Sequence, residues 1–169
     1  MTAALIPWEE IDTILLDMDG TLLDLNFDNH VWNSALPRAF AEKHNVGFEN
    51  AASTLVNHMR EIMGTIEFYN FDYWTEYTQL DITDLHRQYR DLVKYRPGAE
   101  AFLRWSKEAN KTTILATNAH PESIKIKDEV VRISEMVDHV ISSHQYDYPK
   151  ETPNFWTQLK KELDFDEAR

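Results

Sequence analysis

The apolar run Thr13-Ile14-Leu15-Leu16 is followed at once by Asp17-Met18-Asp19-Gly20-Thr21. A strand with one wet face would alternate apolar and polar residues, so this run reads as a parallel strand covered on both faces. Two carboxylates then stand on a tight turn at the strand's C-terminal end, where open α/β sheets bind and transform ligands. Gly20 lets the chain turn without Cβ strain, Thr21 adds a hydroxyl and a backbone N–H, and Leu22-Leu23 return to the core. Acids one residue apart on a strand point the same way, but a turn residue re-aims the second. The pair can then divide the roles of nucleophile and acid/base. The plainer reading is a β–α turn that uses two aspartates as caps.

Two later segments bear on that choice. Strand-like Thr112-Thr113-Ile114-Leu115-Ala116 ends in Thr117-Asn118-Ala119, and His120-Pro121-Glu122 follows, with Pro121 suited to the first turn of a helix. A hydroxyl at a strand end followed by free helix N–H groups makes an anion pocket, although Thr before a helix is also an ordinary cap. Farther on, strand-like Val137–Ser142 and a polar loop lead to Tyr148-Pro149-Lys150-Glu151.

In this order the three segments resemble the motifs of the haloacid-dehalogenase-like (HAD) phosphohydrolases. The resemblance implies an α/β fold with a Rossmann-like parallel-sheet core. It implies that Asp17 accepts the phosphoryl group as an aspartyl phosphate, and that Asp19 protonates the leaving oxygen and then deprotonates the hydrolytic water. Thr117 would hold a phosphoryl oxygen beside Asn118, and Lys150 would set a positive charge next to Asp17. The family's dehalogenases and ion-pumping ATPases do not carry aspartate at the position of Asp19, which favours a phosphatase or phosphomutase.

Composition narrows the class. The chain has 169 residues, 43% of them hydrophobic, and no cysteine. That length buries about two-thirds of the surface an unfolded chain exposes, and disulfides and thiolate metal sites are excluded. Ala3–Trp8 is too short for a signal core or a membrane span and is interrupted by Glu9, Glu10 and Asp12, so a cytoplasmic protein is expected. A net charge of −12 leaves no basic stripe for a nucleic-acid polymer. It would also repel a small phosphate ester, so attraction must be local: Lys150, the N–H groups around Gly20 and Asn118, and a divalent cation. Mg²⁺ suits carboxylate, carbonyl, water and phosphate oxygens. By resemblance, Asp17 gives it a carboxylate oxygen and Asp19 its backbone carbonyl.

The chain between the first two motifs is helical in pattern. Asp28–Asn45 is helical on both sides of Pro37, which predicts a kink or a second helix. Phe48–Met63 repeats apolar residues at helical spacing and closes at Gly64 as C-cap; Asp72–Leu80 and Ile82–Val93 follow, the latter with Asp81 as N-cap. Arg96-Pro97-Gly98 marks the return to the sheet. The expected organisation is a core of residues 1–27 and 96–169 with an inserted helical cap over 28–95, without repeats or low-complexity tracts. Most of the cap's many aromatic residues must pack the cap itself. Asn29 and Trp32, however, leave the catalytic turn directly and lie near the cleft by chain continuity, where stacking plus an amide suits a nucleobase.

The combined text Asp17–Leu25, Phe27-Asp28-Asn29, Asp72-Tyr73-Trp74, Thr117–Pro121 and Tyr148–Glu151 looks like the bacterial GMP/IMP 5′-nucleotidases of this superfamily. The likeness implies hydrolysis of purine nucleoside 5′-monophosphates. Another small phosphate ester, such as a sugar phosphate, is the alternative substrate; a binding module without turnover is the alternative of another class. The latter is motivated by the family's fourth motif, an acidic pair after a further strand, which is absent here. Asp164, Asp166 and Glu167 lack an apolar strand before them and are not assigned. In the resembled fold the first strand is central, so a chain ending at Arg169 is expected to have a C-terminally incomplete core. Its first strand would be an exposed apolar edge, and poor solubility or a strand borrowed from a partner chain would follow, with weak Mg²⁺ affinity and little phosphatase activity. The seven histidines form no i, i+4 pair; His30 and His120 stand near the expected site but are not needed for the chemistry.

Overall fold

The computed structural model describes residues 6–163 and Phe165. Part of the N-terminal run Ala3–Trp8, and Asp164, Asp166 and Glu167, lie outside the described residues. Three parallel strands, β1 (Thr13–Leu16), β2 (Thr112–Thr117) and β3 (His139–Ser142), pair in the order β1-β2-β3. Leu16 is registered with Leu115, and Thr117 with Ser142. Helices pack on both sheet faces, one of them only in part, which makes an α/β, Rossmann-like sheet domain. On one face Leu115 packs with Leu103 of α6 (Ala99–Glu108) and Ile126 of α7 (Pro121–Val131); on the other, Ile114, Ala116 and Ile141 pack with Phe155 and Leu159 of α8 (Pro153–Glu162). The alternation of 114 and 116 against 115 is the period of two that a pleated strand imposes.

Both faces of β1 were expected to be covered, and one is not. Leu15 shares a face with its register partner Ile114, yet α8 shields only β2 and β3, and Leu15 is 39% exposed. Among the described residues β1 is an edge strand. β3 begins at His139 rather than Val137, because Asp138 turns its carboxylate onto the Thr113 backbone N–H at 2.7 Å.

Between residues 26 and 92 the described regular elements are helical: α1 (Asn26–His30), α2 (Leu36–His44), α3 (Phe48–Glu61), α4 (Phe71–Thr78) and α5 (Ile82–Gln88), with short turns between them. Asn70 caps α4 by accepting from the Asp72 and Tyr73 N–H groups, and Asp81 caps α5 by accepting from Asp84, each aspartate or asparagine oxygen satisfying a donor the helix leaves free. α3 ends at Glu61, not at Gly64, because Thr65 folds back onto the Ile62 carbonyl through both its N–H and its hydroxyl. α5 stops at Gln88 and a 3₁₀ turn, Arg90–Leu92, follows. The helical path from α1 to α2 is continuous, but Val31–Ala35 widens into a π turn. Pro37 explains it: lacking an N–H, and with a ring that crowds the carbonyl four residues back, it cannot extend the regular ladder.

His86 of α5 is buried against the rings of Phe27, Trp32 and Phe71, with Nδ1 donating to the Ile82 carbonyl at 2.7 Å and Nε2 without a partner. Burial lowers its pKa from 6.5 to about 4, so it is neutral in the native state. Above pH 6.5 the unfolded chain is neutral there too and nothing is lost. Between 6.5 and about 4 the unfolded chain takes up a proton that the native state refuses, so stability falls as pH falls. At about 1.4 kcal/mol per pH unit, the native protein is expected to lose about 2–3 kcal/mol more than a His86→Leu variant on going from pH 7 to pH 4.5. Denaturant midpoints at the two pH values measure it; equal losses in both proteins would exclude His86 as the source.

Candidate active site

The turn after β1 is shaped by its own backbone. Leu22 and Leu23 both donate to the Met18 carbonyl, at 2.9 and 2.8 Å, and Gly20 donates to Leu23 at 2.8 Å. Gly20 sits at φ +81°, a conformation that favours glycine, and a Cβ there would also crowd the Leu25 side chain at 3.3 Å. Its N–H, one of the group expected to attract phosphate, is spent inside the turn. The chain returning from the helices fastens this turn: Arg96 N–H bonds Leu22 O at 2.8 Å, Asp24 N–H bonds Lys94 O at 2.9 Å, and the Arg96 guanidinium bonds the Gly20 carbonyl.

Asp17, at the end of β1, meets Lys150. Lys150 Nζ donates to Asp17 Oδ1 at 2.5 Å and to the Ala116 carbonyl, on neighbouring β2, at 2.8 Å. The loop after β3 that carries Lys150 is held on two sides. Its N–H donates to Asn118 Oδ1 at 2.8 Å, and its carbonyl accepts from Trp156 Nε1 at 2.8 Å. The Asn118 amide group also donates to both Glu151 oxygens, at 2.9 and 3.2 Å, so this side chain is occupied in joining the second and third motifs. Thr117 Oγ1 accepts from Ala119 N–H at 3.1 Å, and His120 Nδ1 caps α7 by accepting from Glu122 N–H.

Asp19 has a different setting. Burial raises its pKa from 3.8 to about 6; Lys127 opposes that shift, and the carboxylates of Asp28 and Asp17 add to it. A carboxyl group whose pKa is raised toward neutrality can exchange a proton more readily there, which suits a general acid or base. Lys127, on α7, is 1% exposed and donates to Asp19 Oδ1 at 2.7 Å and Asp28 Oδ1 at 2.8 Å. Burial works against its charge, but the two carboxylates outweigh it and its pKa lies above the ordinary lysine value.

A cavity of about 520 Å³ joins these groups, a volume suited to a small ligand. Asp17, Asp19, Thr117, Asn118 and Lys150 line it at the sheet end, and Asn29, Trp32, Phe68, Tyr69 and Phe71 line it from the helices. All the residues expected from the sequence therefore converge on one cavity. Trp32 meets the rings of Phe71, Trp74 and His86 edge-on, and the exposed Asn29 lies one helical turn before Asn33, which also lines the cavity. Sequence reasoning missed Lys127, Tyr69 and Glu151. Tyr69 donates to Glu151 Oε1 at 2.7 Å, and burial with that bond pushes its pKa up to about 12. A signal for Lys127 did exist: with Ser123 and Ile126 it occupies the inward face of α7 at helical spacing.

Mg²⁺ keeps several waters and needs only one or two protein carboxylates beside substrate phosphate. Asp17 and Asp19 fit that demand in kind, as oxygen donors on one cavity wall. Among the described residues no group of three or more acidic or histidine side chains is gathered as a metal site.

A family model for haloacid dehalogenase-like hydrolases matches residues 11–169. The chain belongs to this family. It is 36% identical over 151 residues to the GMP/IMP nucleotidase YrfG of Escherichia coli (strain K12), covering 89% of this chain and 68% of that protein, with the same figures for its Shigella flexneri counterpart. Among solved structures, a HAD phosphatase from Thermococcus onnurineus superposes with a TM-score of 0.76 at 15% identity, over 88% of this chain and 69% of that one. The putative HAD-hydrolase YfnB of Bacillus subtilis, bound to magnesium, gives 0.64 at 13% identity, over 93% and 75%. At such identities the structural likeness speaks to the fold alone: the HAD α/β core. No helix of the described residues is long and apolar enough to cross a membrane.

Proposed function

We propose that the protein is a cytoplasmic, Mg²⁺-dependent phosphomonoester hydrolase that converts purine nucleoside 5′-monophosphates to nucleoside and phosphate through an aspartyl phosphate on Asp17. The observation that carries this reading is the junction of Lys150 with Asp17 at the end of β1, in the same cavity as Asp19 and Thr117. The 36% identity to a GMP/IMP nucleotidase supports the choice of leaving group. Residues 28–95 act as the cap and residues 1–27 with 96–169 as the core.

Asp17 attacks phosphorus while Lys150 and the Thr117 hydroxyl hold the phosphoryl oxygens. Asp19 gives its proton to the departing O5′, then takes one from the water that cleaves the acyl phosphate. These steps balance, since the proton lost by water replaces the one given to the nucleoside. Asp17, by a carboxylate oxygen, and Asp19, by its backbone carbonyl, would hold Mg²⁺, with water and phosphate oxygens completing its shell. Bound there, the cation supplies the charge neutralisation that lets an anionic ester approach two carboxylates.

Trp32 and Phe68, half-buried on the cavity wall, supply a stacking surface for a base, with Asn29 beside them. Stacking is worth roughly 1–3 kcal/mol per base, so GMP and IMP are expected to exceed sugar phosphates in kcat/KM by about one to two powers of ten. A phosphate-release panel with pyrimidine nucleotides, glucose phosphates and phosphoglycolate checks this. Higher kcat/KM for a sugar phosphate than for GMP would reject the nucleotide reading and leave the phosphatase reading standing.

A further inference from the structure

Position 127 lies on the buried face of α7 with Ser123 and Ile126, where an apolar side chain is the usual occupant. It carries an ammonium group instead, and a buried charge is costly unless its partners are well placed. Three partners surround it: Asp19 Oδ1 at 2.7 Å, Asp28 Oδ1 at 2.8 Å, and the Phe27 ring with its centroid 5.4 Å away. An ammonium has three N–H directions, so these contacts fix its place. Asp28 Oδ2 is buried without a hydrogen-bond partner, so Lys127 is the hydrogen-bonding anchor that the Asp28 side chain has. The three residues come from the catalytic turn, from α1 and from α7, and both carboxylates line the cavity.

We propose that Lys127 is a positioning residue: anchored by Asp28, it immobilises Oδ1 of Asp19 and so presents the remaining carboxyl oxygen to the leaving group. The proposal rests on Asp19 being the acid/base of the reaction. It extends that reading to a clamp linking the catalytic turn with the first helix of the cap. A merely structural ion pair would tie α1 to α7 without regard to which bond the enzyme breaks. A positioning clamp matters only when the leaving group needs a proton.

That difference is measurable by comparing a purine nucleoside 5′-monophosphate, whose alkoxide leaving group needs a proton, with 4-nitrophenyl phosphate, whose phenolate does not. In Lys127→Met, kcat/KM for the nucleotide is expected to fall about 100-fold and that for the aryl ester by no more than about threefold. Asp28→Asn keeps the shape and breaks one arm of the clamp; it should show the same contrast at about tenfold. This second variant decides the matter if Lys127→Met does not fold. Equal losses on both substrates, or no loss, overturn the proposal. Asp19→Asn, run alongside, separates the two levels of the argument. If it lacks the contrast, the acid/base reading itself fails; if it shows the contrast and the clamp variants do not, only the clamp fails.

Discussion

Asp17→Asn is expected to abolish phosphate release, lowering kcat by on the order of 10⁴-fold or more, the scale on which covalent nucleophiles contribute. The amide has nearly the same volume and keeps an oxygen for Lys150 Nζ, but it cannot attack phosphorus to give an acyl phosphate. The fold should survive. The Asp17 side chain is 43% exposed and pairs with Lys150, and Lys150 retains the Ala116 carbonyl at 2.8 Å. Thermal unfolding within about 1 kcal/mol of the native protein is therefore expected. Phosphate release at a native-like rate from a folded Asp17→Asn protein would reject covalent catalysis at this residue.

The second large effect belongs to Asp19→Asn. An amide neither gives a proton to O5′ nor takes one from water, so both halves of the reaction are slowed, by about 10²–10⁴-fold for a nucleotide. With an aryl phosphate the first half needs no acid and the second still needs a base. A burst of nitrophenolate with little phosphate should therefore appear, and the phosphorylated protein should accumulate. The amide oxygen can still accept from Lys127, which keeps Asp28 as its charged partner, so a modest cost of about 1–2 kcal/mol in stability is expected. Steady-state and burst kinetics identical to the native protein would remove Asp19 from the chemistry.

The parts of this site that were legible in the sequence are those tied to local backbone chemistry. An apolar run ending in Asp-x-Asp-Gly-Thr announces a strand and a turn, and Thr13–Leu16 is the strand observed. The order of Asp17, Thr117 and Lys150 along the chain was enough to place them at one sheet end, because parallel strands put successive C-termini side by side. Asp81 as a cap could be read because a cap involves only near neighbours. What was not legible depends on distant packing. The coverage of Leu15 depends on how far α8 reaches across the sheet, and no pattern within β1 encodes it. Lys127 lies about a hundred residues from Asp19 and from Asp28, and in one dimension it is indistinguishable from a solvated lysine. The π turn at Val31–Ala35 was visible only as an ambiguity at Pro37 between a kink and a new helix.

The central claim is that a phosphoryl group passes through Asp17. Mixing Asp19→Asn protein with Mg²⁺ and 4-nitrophenyl phosphate, quenching in acid within the burst and locating the added phosphoryl mass by peptide mass spectrometry tests it directly. The phosphoryl group is predicted on the carboxylate of Asp17. A burst with no phosphopeptide, or with the group on another side chain lining the cavity such as His120, would contradict the account.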